Sequence, residues 1–207
     1  MQREKSAREK QAEETKLRIK DSAYELFREK GYNNTSIEEI LKRSNSSIGG
    51  FYHHFKNKDD IIIYAMELLD DDYKEYFDKM INSKEYSNKD YINKIKDIII
   101  YIINVVSSGG DELVRIAYSY MMKEKSMSLK MTDRNREYFK IITYLLKQAK
   151  EEGVVREDLI IGDILDYITI IIRGIIVDWS VNRNTYDLNE RSNIIIDLFL
   201  SSIIKKI

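Results

Sequence analysis

The chain of 207 residues contains no cysteine, no proline and only eight glycines. Without cysteine there are no disulfides, no zinc–thiolate sites and no thiol catalysis, and the composition suits a reducing compartment. Average usage would supply roughly ten prolines and fourteen glycines. With no proline there is no obligatory helix breaker, so long helices are permitted throughout. Long apolar runs are also missing. The longest, Ile98–Ile103 and Ile168–Ile172, stop at Asn104 and Arg173, well short of the roughly 18 residues of a spanning helix. The first fifteen residues are charged and lack the apolar centre of a signal peptide. The expectation is a cytoplasmic protein with no membrane partner.

Charge of one sign is scarce as well. The formal net charge is −1. Residues 1–60 carry 13 Lys/Arg against 11 Asp/Glu, and residues 61–207 carry 21 against 24. A weakly basic first segment permits a polyanion partner without demanding one. Catalytic groups are sparse: two histidines, His53 and His54, are adjacent, and no P-loop or dinucleotide glycine pattern occurs. Neighbouring residues fall on different helix faces, so the pair does not share a metal. The run Asp70-Asp71-Asp72 reads as a solvated helix face. No enzyme activity, cofactor or metal is expected.

Hydrophobic residues make up 43% of the chain, enough for a core. Ile19, Ala23, Leu26 and Phe27 fall at i, i+4, i+7 and i+8, one helical face, closed by Gly31. Next, Thr35 or Ser36 can cap a short helix, each with Glu three residues on, and Ile37, Ile40 and Leu41 form its buried side. Asn45 tolerates the left-handed turn that follows. A second short helix, capped by Ser47, carries Ile48, Phe51, Tyr52 and Phe55 on one face. Asn57, with Asp60 three on, caps a further helix through Ile81. A long helix followed by two short ones around a tight turn makes a helix-turn-helix unit.

The isoleucine-rich remainder reads as helix, because its spacing does not alternate. Helices are expected near 88–107, after the Ser87/Asp90 cap signal, and over 111–124 and 132–152, punctuated by Gly109-Gly110 and Gly153. Over 162–183, Ile164, Ile168, Ile171, Ile172, Ile175, Ile176 and Trp179 form one stripe. Ile170, Gly174, Val177 and Val181 form a second. The last helix, about 188–206, opens with Asp187 and Glu190 at capping-box spacing. It carries Ile195, Leu198, Phe199 and Ile203 on one side and Ile196, Leu200 and Ile204 on another. A helix apolar on two sides needs two covers: the chain's own core and, most simply, a second copy. Paired two-fold, the last two helices form a four-helix bundle. The alternative is a monomer with both helices internal.

From Ile19 to Ile61 the sequence resembles the DNA-binding domain of the tetracycline-repressor (TetR) family of bacterial regulators. The resemblance rests on Ala23, Leu26, Phe27, Gly31, Tyr32, Thr35, Ser36, Ser47, Gly49, Tyr52, Phe55, Lys58 and Ile61 at the family's offsets. Three departures stand out. Asn45 replaces the common turn glycine, Ser46 an apolar residue, and Ile48 and Gly50 often polar ones. The resemblance implies an all-α fold, with a three-helix DNA-binding domain over residues 1–60 (helix-turn-helix about 36–55). A helical ligand-binding and dimerisation domain would follow over 61–207, joined to the first by a continuous helix. It implies a transcriptional regulator, mostly repressive in this family, that binds a palindromic operator in double-stranded DNA as a homodimer and is released by a small-molecule effector. The competing reading is a helical protein-interaction scaffold, which would need no Thr35, Tyr52 or Lys58.

On that resemblance the second short helix enters the major groove. Thr35 resembles a phosphate contact at a helix N-terminus. Tyr52 offers a hydroxyl at the groove edge. Lys58, with Lys56 nearby, is an ionic phosphate anchor, and His53 projects toward DNA. Ser47, Ile48 and Gly50 form the leading edge, with Ile48 suited to thymine methyls and Gly50 to close approach. Arg3, Lys5, Arg8 and Lys10 read as a solvated, frayed helix or as an arm on the DNA backbone. In the second domain, Tyr101, Tyr118, Met121, Met122, Tyr138, Tyr144, Tyr167 and Trp179 are the candidate ligand lining, suited to apolar or cationic ligands.

Overall fold

A computed structural model describes residues 6–87, 89–183 and 185–205, without the side chains of Glu85 and Ser87. Arg3 and Lys5, the Ser87 cap and the end of the 188–206 segment therefore lie outside the described residues. Among the described residues there are eleven helical segments. The only other pairing is an isolated antiparallel bridge between Val155 and Ile204. Contacts within the chain group residues 1–67 and 68–207 as two units.

The first unit holds α1 (Ala7–Lys30), α2 (Ile37–Ser44), α3 (Ile48–His54) and the opening turns of α4 (Lys58–Asn82). Ile19, Ala23, Leu26 and Phe27 of α1 are buried as the spacing predicts. Gly31 ends α1 at φ 85°, and Asn45 ends α2 in the left-handed region at φ 48°. Both are conformations that most residues adopt only at a cost. The α2 cap is Ser36 rather than Thr35: its hydroxyl accepts from the Glu39 N–H and the Glu39 carboxylate accepts from the Ser36 N–H. Thr35 is turned inward, 2% exposed, and donates to the Gly31 carbonyl at 2.8 Å.

The expected apolar face of α3 divides in two. Phe51 and Phe55 are buried, whereas Ile48 is 63% and Tyr52 55% exposed. Helical spacing alone would put all four within one arc. Instead Ile48 and Tyr52 lie to one side of Phe51 around the helix and stay outward, and Phe55 follows the helix as an extended C-cap residue at φ −136°. The expected division at residues 60 and 61 falls inside the first turns of α4. There Ile61, Ile62 and Tyr64 are buried, and Tyr64 packs on Phe55 and donates to Glu13 at 2.5 Å. The contacts divide later, between Glu67 and Leu68.

The second unit holds the rest of α4, then α5 (Lys84–Ser87), α6 (Tyr91–Ser107), α7 (Asp111–Lys123), α8 (Lys125–Met131), α9 (Glu137–Glu151), α10 (Ile161–Val181) and α11 (Leu188–Ile203). Gly110 at φ 88° and Gly153 at φ 73° punctuate it as the sequence suggests. The helix expected over 132–152 starts only at Glu137, because Thr132–Arg136 form turns. The short α5 and α8 are additional. The core gathers Ile98, Ile99, Ile103, Ile142, Leu145, Ile168, Ile176 and Ile196, among others. Ile203 lies with Ile196 and Leu200 on the buried side of α11, not with Leu198. The three fall at i, i+4 and i+7, one helical face.

Glu39 links the cap to its surroundings. The Lys30 ammonium beside it, then the Ser36 N–H and hydroxyl, hold its carboxyl down at about 2. A carboxyl so held contributes stability above its usual value of 4.5, and that contribution is lost as pH falls through the lowered value. Replacing Ser36 with Ala is expected to cost about 1 kcal/mol in urea unfolding. A Glu39→Gln variant is expected to flatten the stability profile between about pH 4.5 and 2.

Candidate nucleic-acid interface and interior of the second unit

In the first unit α3 packs on α1 and α2. Phe51 and Phe55 stack obliquely, 5.7 Å apart, and Phe55 continues to Tyr64 at 5.9 Å. This aromatic column fixes which side of α3 faces outward. Ser47 caps α3 by accepting from the Gly50 N–H at 3.0 Å. Ser47, Ile48, Gly49, Tyr52 and His53 are exposed, Gly50 is half-buried and Lys56 is exposed. The structure therefore brings six sequence candidates, Ser47, Ile48, Gly50, Tyr52, His53 and Lys56, to one short helix and its flanks. His54, adjacent to His53, is half-buried. Burial lowers its pKa, with His53 and Lys16 adding to the effect, so the ring is held neutral near pH 7.

Two candidates are placed differently. The Thr35 hydroxyl is spent inside the unit on Gly31 and, so placed, does not present itself to a phosphate. Lys58 is half-buried. Its ammonium donates to the Tyr32 and Thr35 carbonyls at 2.8 and 2.7 Å and sits 4.3 Å from the Tyr32 ring centre. Tyr32 in turn donates to Asp59. The side chain read as a phosphate anchor thus braces the loop between α1 and α2 from the start of α4. Sequence offsets alone do not distinguish a lysine that meets DNA from one that meets carbonyls. The brace would be legible only from the three-dimensional closeness of residues 23 and 26 positions apart.

Further braces hold α2. Arg18 donates to the Ser44 carbonyl at 2.8 Å, satisfying the C-terminal end of α2. Arg43 pairs bidentately with Glu29, both bonds 2.7 Å. Periodicity reveals neither.

In the second unit the eight candidate lining residues do not converge. Met122, Tyr144 and Tyr167 are exposed, and Met122 is 77% so. Tyr101 stacks flat on Tyr76, centres 3.8 Å apart. Met121 is half-buried and Trp179 sits in the core. Tyr118 and Tyr138 lie near one another in the interior. Burial pushes the Tyr118 phenol up to about 12, and Tyr138 is hydrogen-bonded to Thr169. Tyr144 instead lines a surface groove of about 350 Å³ with Arg134, Phe139, Lys140, Thr143, Lys147 and Leu165.

Polar groups that the sequence does not single out as a site surround those two tyrosines. Tyr73 is buried, and Arg136 and Asp70 act on its phenol along with Tyr118 and Tyr138. Arg136 pairs with Asp70 at 3.0 Å and reaches the Met131 sulfur at 2.9 Å. Asp70 is therefore drawn inward, away from the solvated run expected for Asp70–Asp72. Arg173 donates to the Met131 carbonyl at 3.3 Å, and its charge acts on both Tyr118 and Tyr138. Arg173 marks the end of an apolar run, and that interruption is the signal that could have found it. No group of three or more His, Cys, Asp or Glu side chains that could hold a metal occurs among the described residues. No helix among them is long and apolar enough to cross a membrane.

A short helix presented by a packed helical trio, with a capped turn before it, is the architecture of helix-turn-helix DNA-binding regulators. Residues 19–65 match the family described as "Bacterial regulatory proteins, tetR family". The chain is 26% identical over 193 residues to the fatty acid metabolism regulator protein of Bacillus subtilis (strain 168), covering 92% of this chain and 96% of that one. Among solved structures, transcriptional regulator FadR from Bacillus subtilis, in complex with stearoyl-CoA, superposes with a TM-score of 0.65 at 23% identity, covering 90% of this chain and 98% of that one. FadR of Thermus thermophilus, in complex with lauroyl-CoA, also gives 0.65, at 18% identity, covering 93% and 96%. The family match over residues 19–65 and these full-length relatives support a TetR-family DNA-binding transcriptional regulator.

Lys58 and Lys56 are expected to separate in mutagenesis. Lys58→Ala removes the ammonium donor from the Tyr32 and Thr35 carbonyls, of which the first keeps the Thr35 N–H, and should lower the unfolding free energy by about 2 kcal/mol. Lys56→Ala, on an exposed side chain, should leave thermal unfolding unchanged.

Proposed function

We propose that the chain is a repressor that binds a palindromic operator as a homodimer and is released by a small-molecule effector. The observation that carries the DNA side is the outward face of α3, where Ser47, Ile48, Tyr52 and His53 are exposed while Phe51 and Phe55 hold the helix down. Side chains on that face meet base edges in the major groove. Lys56 supplies phosphate charge, which positions without specifying. Lys58 serves the interface by fixing the loop before α2.

The homodimer follows from what the second unit leaves uncovered. On α10, Ile170 is 65% exposed, and Tyr167 and Val181 are also outward. On α11, Leu198 is 68% exposed, with Ile194 beside it one turn back. An apolar side on each of two successive helices is what a two-fold four-helix bundle covers. A Cβ added at Gly174 would meet nothing within 4 Å, so the space beyond it is open to a partner helix. Two copies would set their α3 helices one DNA turn apart, roughly 34–36 Å, or a multiple of it.

The effector is assigned to the second unit. The relatives solved with stearoyl-CoA and lauroyl-CoA make an acyl-CoA the first class to test. Tyr118, Tyr138 and Arg173 are the interior polar groups suited to a polar end of a ligand. Release requires only that the effector favour a conformation with lower DNA affinity. α4 has residues in both units and is the element through which such a preference would act.

Random duplexes retained by the purified protein, sequenced and then challenged with acyl-CoAs, test this reading. Enrichment of a two-fold symmetric sequence and its loss on adding acyl-CoA are expected. No enrichment at low salt would refute DNA binding, and retention unaffected by acyl-CoAs would refute that effector class. On the enriched operator, Lys56→Ala should reduce the slope of log affinity against log salt by about one. Gly174→Leu should shift sedimentation toward monomer by overpacking while leaving the helical signal of the chain intact. An undiminished dimer would remove that face from the interface.

A further inference from the structure

We propose that the chain reads its operator chiefly through thymine methyl groups, with Ile48 as the side chain that determines specificity. This rests on the DNA-binding reading above and adds what the protein recognises there.

The argument is an inventory of α3. Direct readout in the major groove ordinarily uses Arg or Lys on guanine, Asn or Gln on adenine, and Glu or Asp on cytosine. None of those six residue types occurs from Ile48 to His54. Gly49 and Gly50 carry no side chain, and Phe51 is buried. The Ser47 hydroxyl is engaged as the helix cap. What remains outward is Ile48, Tyr52 and His53. Ile48 is the more exposed of the two large apolar side chains that this helix leaves outward. The one feature of the groove that an aliphatic side chain complements is the C5-methyl of thymine.

Gly49 adds a second, independent observation. Glycine inside a helix is destabilising relative to alanine, and nothing in the fold requires it here. Gly49 is exposed, and a Cβ would meet nothing within 4 Å. The fold is indifferent to a side chain at 49, whereas a DNA groove is not. A bare backbone at 49 lets the start of α3 lie closer to the base edges, which brings the branched Ile48 side chain into contact distance of a methyl group. Gly50 differs, since a Cβ there would stand 3.2 Å from the Ser47 oxygen of the cap.

Replacing thymine with uracil tests this cleanly, because it removes the methyl and leaves every base-pairing and groove hydrogen-bonding group in place. The duplex enriched from a random library supplies the operator, and each thymine is changed to uracil in turn. We expect one symmetry-related thymine pair at which the change weakens binding about fourfold per half-site, the worth of one buried methyl. That penalty should shrink below about twofold in Ile48→Ala and persist in Ile48→Val. Both substitutions are at an exposed position, and circular dichroism verifies the fold. Gly49→Ala should weaken binding to the same operator without lowering thermal stability. An operator on which every uracil binds as well as thymine, or on which the penalty is unchanged in Ile48→Ala, overturns the inference while leaving DNA binding intact. Failure to enrich any duplex overturns the underlying reading and this inference with it.

Discussion

The arrangement of the first unit depends on two phenylalanines. A helix of seven residues is too short to persist on its own, and α3 persists because Phe51 and Phe55 are sunk into the unit beneath it. Their burial decides everything on the opposite side. With Phe51 and Phe55 inward, Ile48 and Tyr52 are left outward, and the Ser47 cap sets where the exposed side begins. The rest of the unit serves this placement. Asn45 makes the turn, Arg18 and Arg43 tie α2 to α1, and Lys58 secures the loop ahead of α2.

α4 is the one helix with residues in both units. Its start is locked to the first unit by Ile61, Ile62 and Tyr64. Its later turns are held in the second by Tyr73, by the Asp70–Arg136 pair and by Tyr76 against Tyr101. The Asp70–Arg136 pair is mostly shielded from water, where breaking it by removing one partner is costly. A change that reached Arg136 or its neighbours Tyr73, Tyr118 and Tyr138 would therefore bear on α4 itself. On the function proposed here, that is how ligand occupancy in one unit would be felt in the other.

Much of this was legible in the sequence, for an identifiable reason. Buried helical faces repeat at fixed intervals, so Ile19–Phe27 and the Ile164–Trp179 stripe declared themselves, as did the turns at Gly31, Asn45 and Gly153. Periodicity fails where an element is short. On α3 it grouped Ile48 and Tyr52 with the buried phenylalanines, because seven residues make barely two turns. It also passed over α8, whose seven residues end among the turns before α9. Long-range hydrogen bonds leave no periodic trace. Thr35 and Lys58 matched family offsets, yet their polar atoms turn inward to carbonyls. The proposed ligand lining fared least well, since an aromatic residue looks the same in sequence whether it faces a cavity, a core or water. Tyr167 and Tyr144 face outward.

The central claim is that the outward side of α3 lies in the major groove. The absence of native cysteine allows a single one to be placed there, at His53, and tested for disulfide formation with DNA carrying a thiol tether. The account predicts cross-linking of His53→Cys to a tether on N4 of cytosine, which projects into the major groove, at a symmetric pair of operator positions. Cross-linking only to a tether on N2 of guanine, in the minor groove, or to neither tether while the operator is bound, would contradict it.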